Sequence, residues 1–132
     1  KAPCILTPHA GEMSRLLNED IQDILYRPAD AAARLCERTR AVVLLKGATT
    51  VIASPDGNVT LNTTGCPAMA KGGAGDVLTG MIAAFLAQGL SPYDAARLGA
   101  FVHGKAGEIA AQGIAEQSLL ASDIVRAIEK AL

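Results

Sequence analysis

The densest chemistry in this 132-residue chain lies in the run Lys71-Gly72-Gly73-Ala74-Gly75-Asp76-Val77-Leu78-Thr79-Gly80. Three glycines within four positions stand directly before an apolar repeat at helical spacing. Glycine lets backbone N–H groups converge and lets a ligand come close, because no Cβ intervenes. The start of the helix adds unsatisfied N–H donors and the positive end of its dipole. Together these predict a cradle for a phosphate or another oxyanion. Asp76 falls in the first turn, where the same dipole favours a carboxylate, and its plain reading is a helix cap. A simple cap needs one flexible residue and not three, so the glycine cluster turns the reading toward a catalytic carboxylate. The run is not a Walker loop, since Val77 and Leu78 stand where that pattern demands Lys and a hydroxyl residue.

Two further loops carry polar groups suited to the same ligand. Thr7-Pro8-His9 follows the first predicted strand, and Lys46-Gly47-Ala48-Thr49-Thr50 follows the strand Val42 to Leu45. In an open α/β sheet, ligands collect beyond the carboxyl ends of the strands. The three loops are therefore expected to share one crevice. Taken singly, each residue also has a plainer reading. His9 alone reads as structural, and Lys46 as either a solvated strand-end lysine or a ligand contact. Glu12 either supports the first helix or positions His9 or a phosphate-bound metal. His103, inside an Ala-rich helix, reads as a packing or surface residue.

The elements that must hold these loops follow from apolar periodicity. Cys4 to Thr7 reads as a buried strand ending at Pro8, and Glu12 to Leu17 as a short helix. Pro28 opens a helix to Arg40, as a first-turn proline does. Val42-Val43-Leu44-Leu45 is an unbroken apolar run, the mark of a strand covered on both faces. Thr50 to Ser54 and Val59 to Asn62 read as a hairpin about the turn Pro55-Asp56-Gly57-Asn58. Val77, Leu78, Met81, Ile82, Phe85 and Leu86 repeat at helical spacing up to Gly89. Ser91-Pro92 starts a long Ala-rich helix ending near Gly113, and Ser122 to Leu132, capped by Ser122 or Ala121, is the last. Strand, helices, strand, hairpin, then three helices is an α/β layer architecture in a single domain.

Composition excludes several classes of function. Half the residues are hydrophobic but only 3% are aromatic, so the core must be built from Ala, Leu, Ile and Val. A net charge of −1 and a pI near 6.1, with no basic stretch, leave no footprint for nucleic acid. No apolar run is long enough for a membrane span. Cys4, Cys36 and Cys66 are odd in number and lack zinc or CxxC spacing, which predicts reduced thiols in a cytoplasmic protein. A chain that opens Lys1-Ala2-Pro3, without Met, and enters a strand at once reads as a piece of something longer.

Thr7-Pro8-His9-Ala10-Gly11-Glu12-Met13, Leu45 to Thr50 and Asn62 to Gly80 together resemble the NAD(P)H-hydrate dehydratases in order and spacing. The resemblance covers essentially the whole chain, while the GxGD element by itself is shared across the ribokinase-like superfamily. It implies a ribokinase-like three-layer α/β/α sandwich, of which residues 1–132 are the nucleotide-binding C-terminal portion. The implied reaction repairs hydrated NADH or NADPH at the expense of ADP or ATP, with Mg²⁺ on the nucleotide phosphates. By the same resemblance, Lys46, Gly47, Ala48, Thr49, Thr50 and Gly75 contact the nucleotide. His9 and Asp76 contact the hydrated nicotinamide, with Asp76 catalytic, and Gly72, Gly73 and Gly75 present N–H groups to the transferring phosphate. No metal-ligating residue of the protein is implied. Ala10 and Ala74 depart from the family's usual Pro and Thr. The alternatives are a small-molecule kinase of the same superfamily, acting on a sugar or hydroxymethylpyrimidine, and a non-catalytic nucleotide-binding module. The Ala-rich helices also offer surfaces for a homo-oligomer.

Overall fold

The computed structural model describes residues 4–132; Lys1-Ala2-Pro3, the opening noted above, lies outside them. Four strands form one mixed sheet in the order β1 (Ile5–Leu6), β2 (Val42–Leu45), β3 (Thr50–Ala53), β4 (Val59–Asn62). β1 and β2 are parallel, with Ile5 opposite Val42, and the remaining pairs are antiparallel. β2 is buried at all four positions, as its unbroken apolar run predicts. The turn between β3 and β4 is closed by the Gly57 N–H donating to the Ser54 carbonyl at 3.0 Å, with Gly57 at φ 85.

Alternation along the central strands sorts their side chains between two layers. Val43, Leu45, Val51 and Ala53 face α1 (Ala10–Leu17), α2 (Ile21–Tyr26) and α3 (Pro28–Thr39), packing with Met13, Leu17, Ile24 and Leu35. Val42, Leu44 and Ile52 face the other way, against Leu78 and Ile82 of α4 (Ala74–Ala87) and Ala95, Ala96 and Ala100 of α5 (Pro92–Ala110). This is the three-layer α/β/α sandwich expected from the sequence. A third cluster joins α6 (Ala121–Ala131) to α4 and α5 through Leu119, Ile124, Ala127, Ala106 and Ala74. Small residues let these helices approach closely: a Cβ on Gly99 would lie 2.6 Å from the Ile82 side chain.

Several details differ from the sequence reading: β1 is shorter and only half-buried, α1 starts two residues earlier at Ala10, and α5 ends at Ala110. α2 was not expected; its N-cap is Asp20, whose carboxylate accepts the Gln22 N–H at 2.7 Å. α6 starts one residue early, with Leu120 and not Ser122 or Ala121 at the cap, because the Asp123 carboxylate accepts the Leu120 N–H at 3.0 Å. Short 3₁₀ turns at Pro67–Met69 and Glu116–Ser118 also lie in segments to which the sequence reading assigned no element.

Candidate functional site

Parallel pairing brings the ends of β1 and β2 to the same edge of the sheet. The pairing continues past the strands as a bridge between His9 and Lys46, with the Lys46 N–H donating to the Pro8 carbonyl at 2.8 Å. His9 is the N-cap of α1. Its Nδ1 accepts the Glu12 N–H at 3.1 Å, and the Glu12 carboxylate accepts the His9 N–H at 2.7 Å. This is a reciprocal capping box, with a histidine in place of the usual hydroxyl residue. The accepting Nδ1 leaves the proton of the neutral ring on Nε2. The His9 backbone N–H bond holds the Glu12 carboxyl below its ordinary value, helped by the charges of Lys46 and Arg15. Glu12 thus supports the first helix and positions His9, two of the roles its sequence context left open.

Lys46 reaches from the end of β2 toward the glycine run. Its half-buried ammonium is 3.9 Å from Glu12 Oε2 and would be 3.4 Å from a Cβ on Gly75. A Cβ there would only touch the ammonium, so Lys46 borders the start of the glycine run. α4 begins there, with Gly73 as a left-handed N-cap at φ 88 that supplies no side-chain bond. Among the described residues, the N–H groups of Gly72, Gly73 and Gly75 donate to no backbone carbonyl. Free amides, a helix N-terminus and a lysine ammonium at one point suit an anion. Asp76 lies in the first turn and is exposed, and its carboxylate makes no hydrogen bond or ion pair among the described residues. The plain reading of Asp76 as a cap is therefore corrected: it caps nothing.

These groups border an open cavity of about 720 Å³. His9, Lys46, Gly47, Ala48, Thr50 and Gly75 line it, so all three loops contribute, as their positions at the strand ends predict. Thr49, Gly72, Gly73 and Asp76 are not in its wall, although each adjoins a residue that is or follows directly from one. The far wall consists of the segment Asn62 to Lys71 and one face of α5, including Ala100, His103 and Gly104.

His103 is the main departure from the residue-by-residue reading. It lines the cavity, and its Nε2 is enclosed without a hydrogen-bond partner among the described residues. Burial lowers its pKa from the ordinary histidine value, a shift that the nearby Ala74 carbonyl opposes. The neutral ring therefore offers a buried polar atom at the site. Only the glycines at 104 and 107, which mark a close approach of another segment to α5, hinted that this helix face was more than packing. Among the described residues, no group of three or more His, Cys, Asp or Glu is placed to hold a metal. The three cysteines are free.

The family model described as NAD(P)H-hydrate dehydratase matches residues 1–130. The chain belongs to that family. Within the dehydratase family, it is 47% identical over its whole length to a bifunctional NAD(P)H-hydrate repair enzyme of Thermofilum pendens, and spans 25% of that protein. The structure superposes on a Bacillus subtilis ADP/ATP-dependent NAD(P)H-hydrate dehydratase, co-crystallized with ATP and Mg²⁺, at TM-score 0.93. There the identity is 36%, and the match covers 98% of this chain and 47% of that one. A ribokinase-like superfamily protein of Enterococcus faecalis matches 96% of this chain, and 44% of its own, at TM-score 0.79 and 31% identity. The fold is thus ribokinase-like, and the chain spans 25%, 47% and 44% of these three relatives.

Proposed function

We propose that residues 1–132 are the nucleotide-binding, C-terminal part of a dehydratase domain that repairs hydrated NADH or NADPH at the expense of ADP or ATP. The observation that carries the proposal is the meeting of Lys46 with Gly75 at the start of α4, beside glycine N–H groups with no backbone acceptor. That point suits a terminal phosphate of the nucleotide, and the cavity beside it has room for the rest. Membership of the dehydratase family and the likeness to an enzyme crystallized with ATP and Mg²⁺ support the same reading.

Hydroxide is a poor leaving group from the hydrated nicotinamide ring, so the ring hydroxyl is first phosphorylated. Its oxygen attacks the terminal phosphorus of ADP or ATP, and the nucleotide leaves as AMP or ADP. Asp76, free of other partners, orients the hydroxyl and accepts its proton. Lys46 and the glycine amides stabilise charge on the phosphoryl oxygens. The ring nitrogen's lone pair then expels phosphate, and loss of a proton from the adjacent carbon restores the dihydronicotinamide. Mg²⁺ would enter on the nucleotide phosphates.

His9, beside Lys46 at the cavity edge, contacts the hydrated nicotinamide, and Lys46 to Thr50 hold the nucleotide. The free cysteines fit a reducing cytoplasm. Exposed Leu98 and Phe101 on α5, with Val59 and Leu61 on β4, support a homo-oligomer. The deciding experiment supplies the full-length protein with hydrated NADH and ADP or ATP and follows recovery of NADH absorbance. Phosphorylation of a sugar alcohol without such recovery would replace the dehydratase with a kinase.

A further inference from the structure

Between β4 and the 3₁₀ turn at Pro67–Met69, the cavity's far wall belongs to no strand or helix. The segment Asn62 to Ala70 crosses from β4 to the glycine run and lies directly on α5. Two glycines of α5 make that approach possible. A Cβ on Gly104 would stand 2.1 Å from Thr64 Oγ1 and 2.6 Å from the Thr64 carbonyl carbon, and one on Gly107 would stand 2.1 Å from the Met69 sulfur. Side chains then stitch the segment to the helix backbone. Asn62 Nδ2 donates to the Ala100 carbonyl at 3.3 Å, and Thr64 Oγ1 donates to the Phe101 carbonyl at 3.1 Å.

The charged tie is Glu108, one turn beyond Gly104. Its Oε1 accepts the Gly65 backbone N–H at 2.8 Å, and its Oε2 pairs with the Lys105 ammonium at 2.8 Å. Gly65 presents its N–H from φ 118, a conformation that favours glycine. The Gly65–Glu108 bond ties the segment to a charged group, and such bonds are stronger than neutral ones. Nothing in the reaction derived above uses Glu108.

We infer that Glu108 is a positioning residue, which clamps the Asn62–Ala70 segment onto α5 and so sets the cavity wall and the approach to Gly72–Gly75. The inference rests on the proposed nucleotide site. Without the clamp the anion loop keeps its own residues but is led in by a loosened segment. Nucleotide binding weakens, while the chemical step, which belongs to Asp76 and the glycine amides, changes little.

The test uses the full-length protein with Glu108→Ala and Glu108→Gln, ADP or ATP with Mg²⁺, and hydrated NADH. In Glu108→Ala, deuterium exchange of the peptide 62–70 speeds up at least roughly tenfold, as loss of a charge-assisted bond implies. Core peptides of α4 and α5 keep wild-type exchange. KM for the nucleotide rises about tenfold and kcat stays within about twofold. Glu108→Gln, whose amide oxygen still accepts the Gly65 N–H, falls between Glu108→Ala and wild type on both readouts. An unchanged KM alongside a freely exchanging segment overturns the positioning role, as does equal loss of protection throughout α4 and α5. A wild-type protein with no nucleotide-dependent turnover sinks the site reading, and this inference with it.

Discussion

An aspartate in the first turn of a helix is ordinarily occupied with the helix's own N–H groups, and Asp76 is not. Its side chain is exposed and has no partner among the described residues. Asp76→Asn is therefore expected to leave thermal stability within about 0.5 kcal/mol and nucleotide affinity intact. Turnover should fall by roughly 10²–10⁴-fold; equal losses of affinity and turnover would make the residue structural. Glu12 shows the opposite case of a carboxylate fully engaged. A carboxyl held below its ordinary value adds stability that is present above the ordinary range and is lost as pH falls through the lowered value. Glu12→Gln should thus unfold at lower urea than wild type near neutrality, with the gap closing once pH drops below about 4. A gap constant down to pH 3 would assign the capping box no electrostatic part. Asp76, His9 and Lys46 were legible in sequence because they stand at strand ends or beside glycines. His103 and Glu108 were not, because their surroundings depend on what lies across α5, of which the glycines at 104 and 107 are the one local hint.

At the scale of elements, legibility followed burial. β2, with every residue buried, was read to its last residue, and so was β4, fixed by a turn of strong chemistry. α2 escaped because only Ile24 of its six residues is buried, while Ile21, Leu25 and Tyr26 are exposed. No apolar stripe existed to be found. The close seam between α5 and the Asn62–Ala70 segment was hidden for a different reason. Glycine in a helix signals weakness by propensity, and only the fold shows a neighbour in the space. Gly104→Ala should therefore destabilise by about 1–3 kcal/mol, since its Cβ would strike the Thr64 backbone. Gly80→Ala, in α4 with nothing within 4 Å of the new Cβ, should instead stabilise by roughly 0.5–1 kcal/mol. Urea denaturation of the two variants decides between seam and propensity, and equal signs would remove the seam.

At the scale of the whole molecule, the layers were legible as an α/β sequence of elements, and the two helical faces follow from alternation on the central strands. The resemblance also read residues 1–132 as one portion of a longer domain, and the chain spans 25% of one relative it matches and 47% of another. The cavity is open, and an open pocket surrenders less ligand surface from water than an enclosed one. The 132-residue chain alone is therefore expected to bind ADP or ATP more weakly than the full-length protein and to turn over poorly. Calorimetry on both forms checks the first point and NADH recovery the second. Equal affinities would mean that this chain holds all of the nucleotide site.

The mixed pairing of the sheet also sets an order of events in time. β2, β3 and β4 join neighbours through short turns, whereas β1 can pair with β2 only after α1, α2 and α3 have been spanned. Closing the longer loop costs more entropy, and distant pairings form later. The meander from Val42 to Asn62 should gain amide protection first during refolding, with Ile5 and Leu6 following, as pulsed exchange would show. Simultaneous protection would point to one concerted step. Because the His9–Lys46 bridge continues the β1–β2 pairing, the two sides of the anion site come into register only in that late step. An interrupted folding chain thus carries its glycine loop before it has a lysine and histidine set opposite each other to use it.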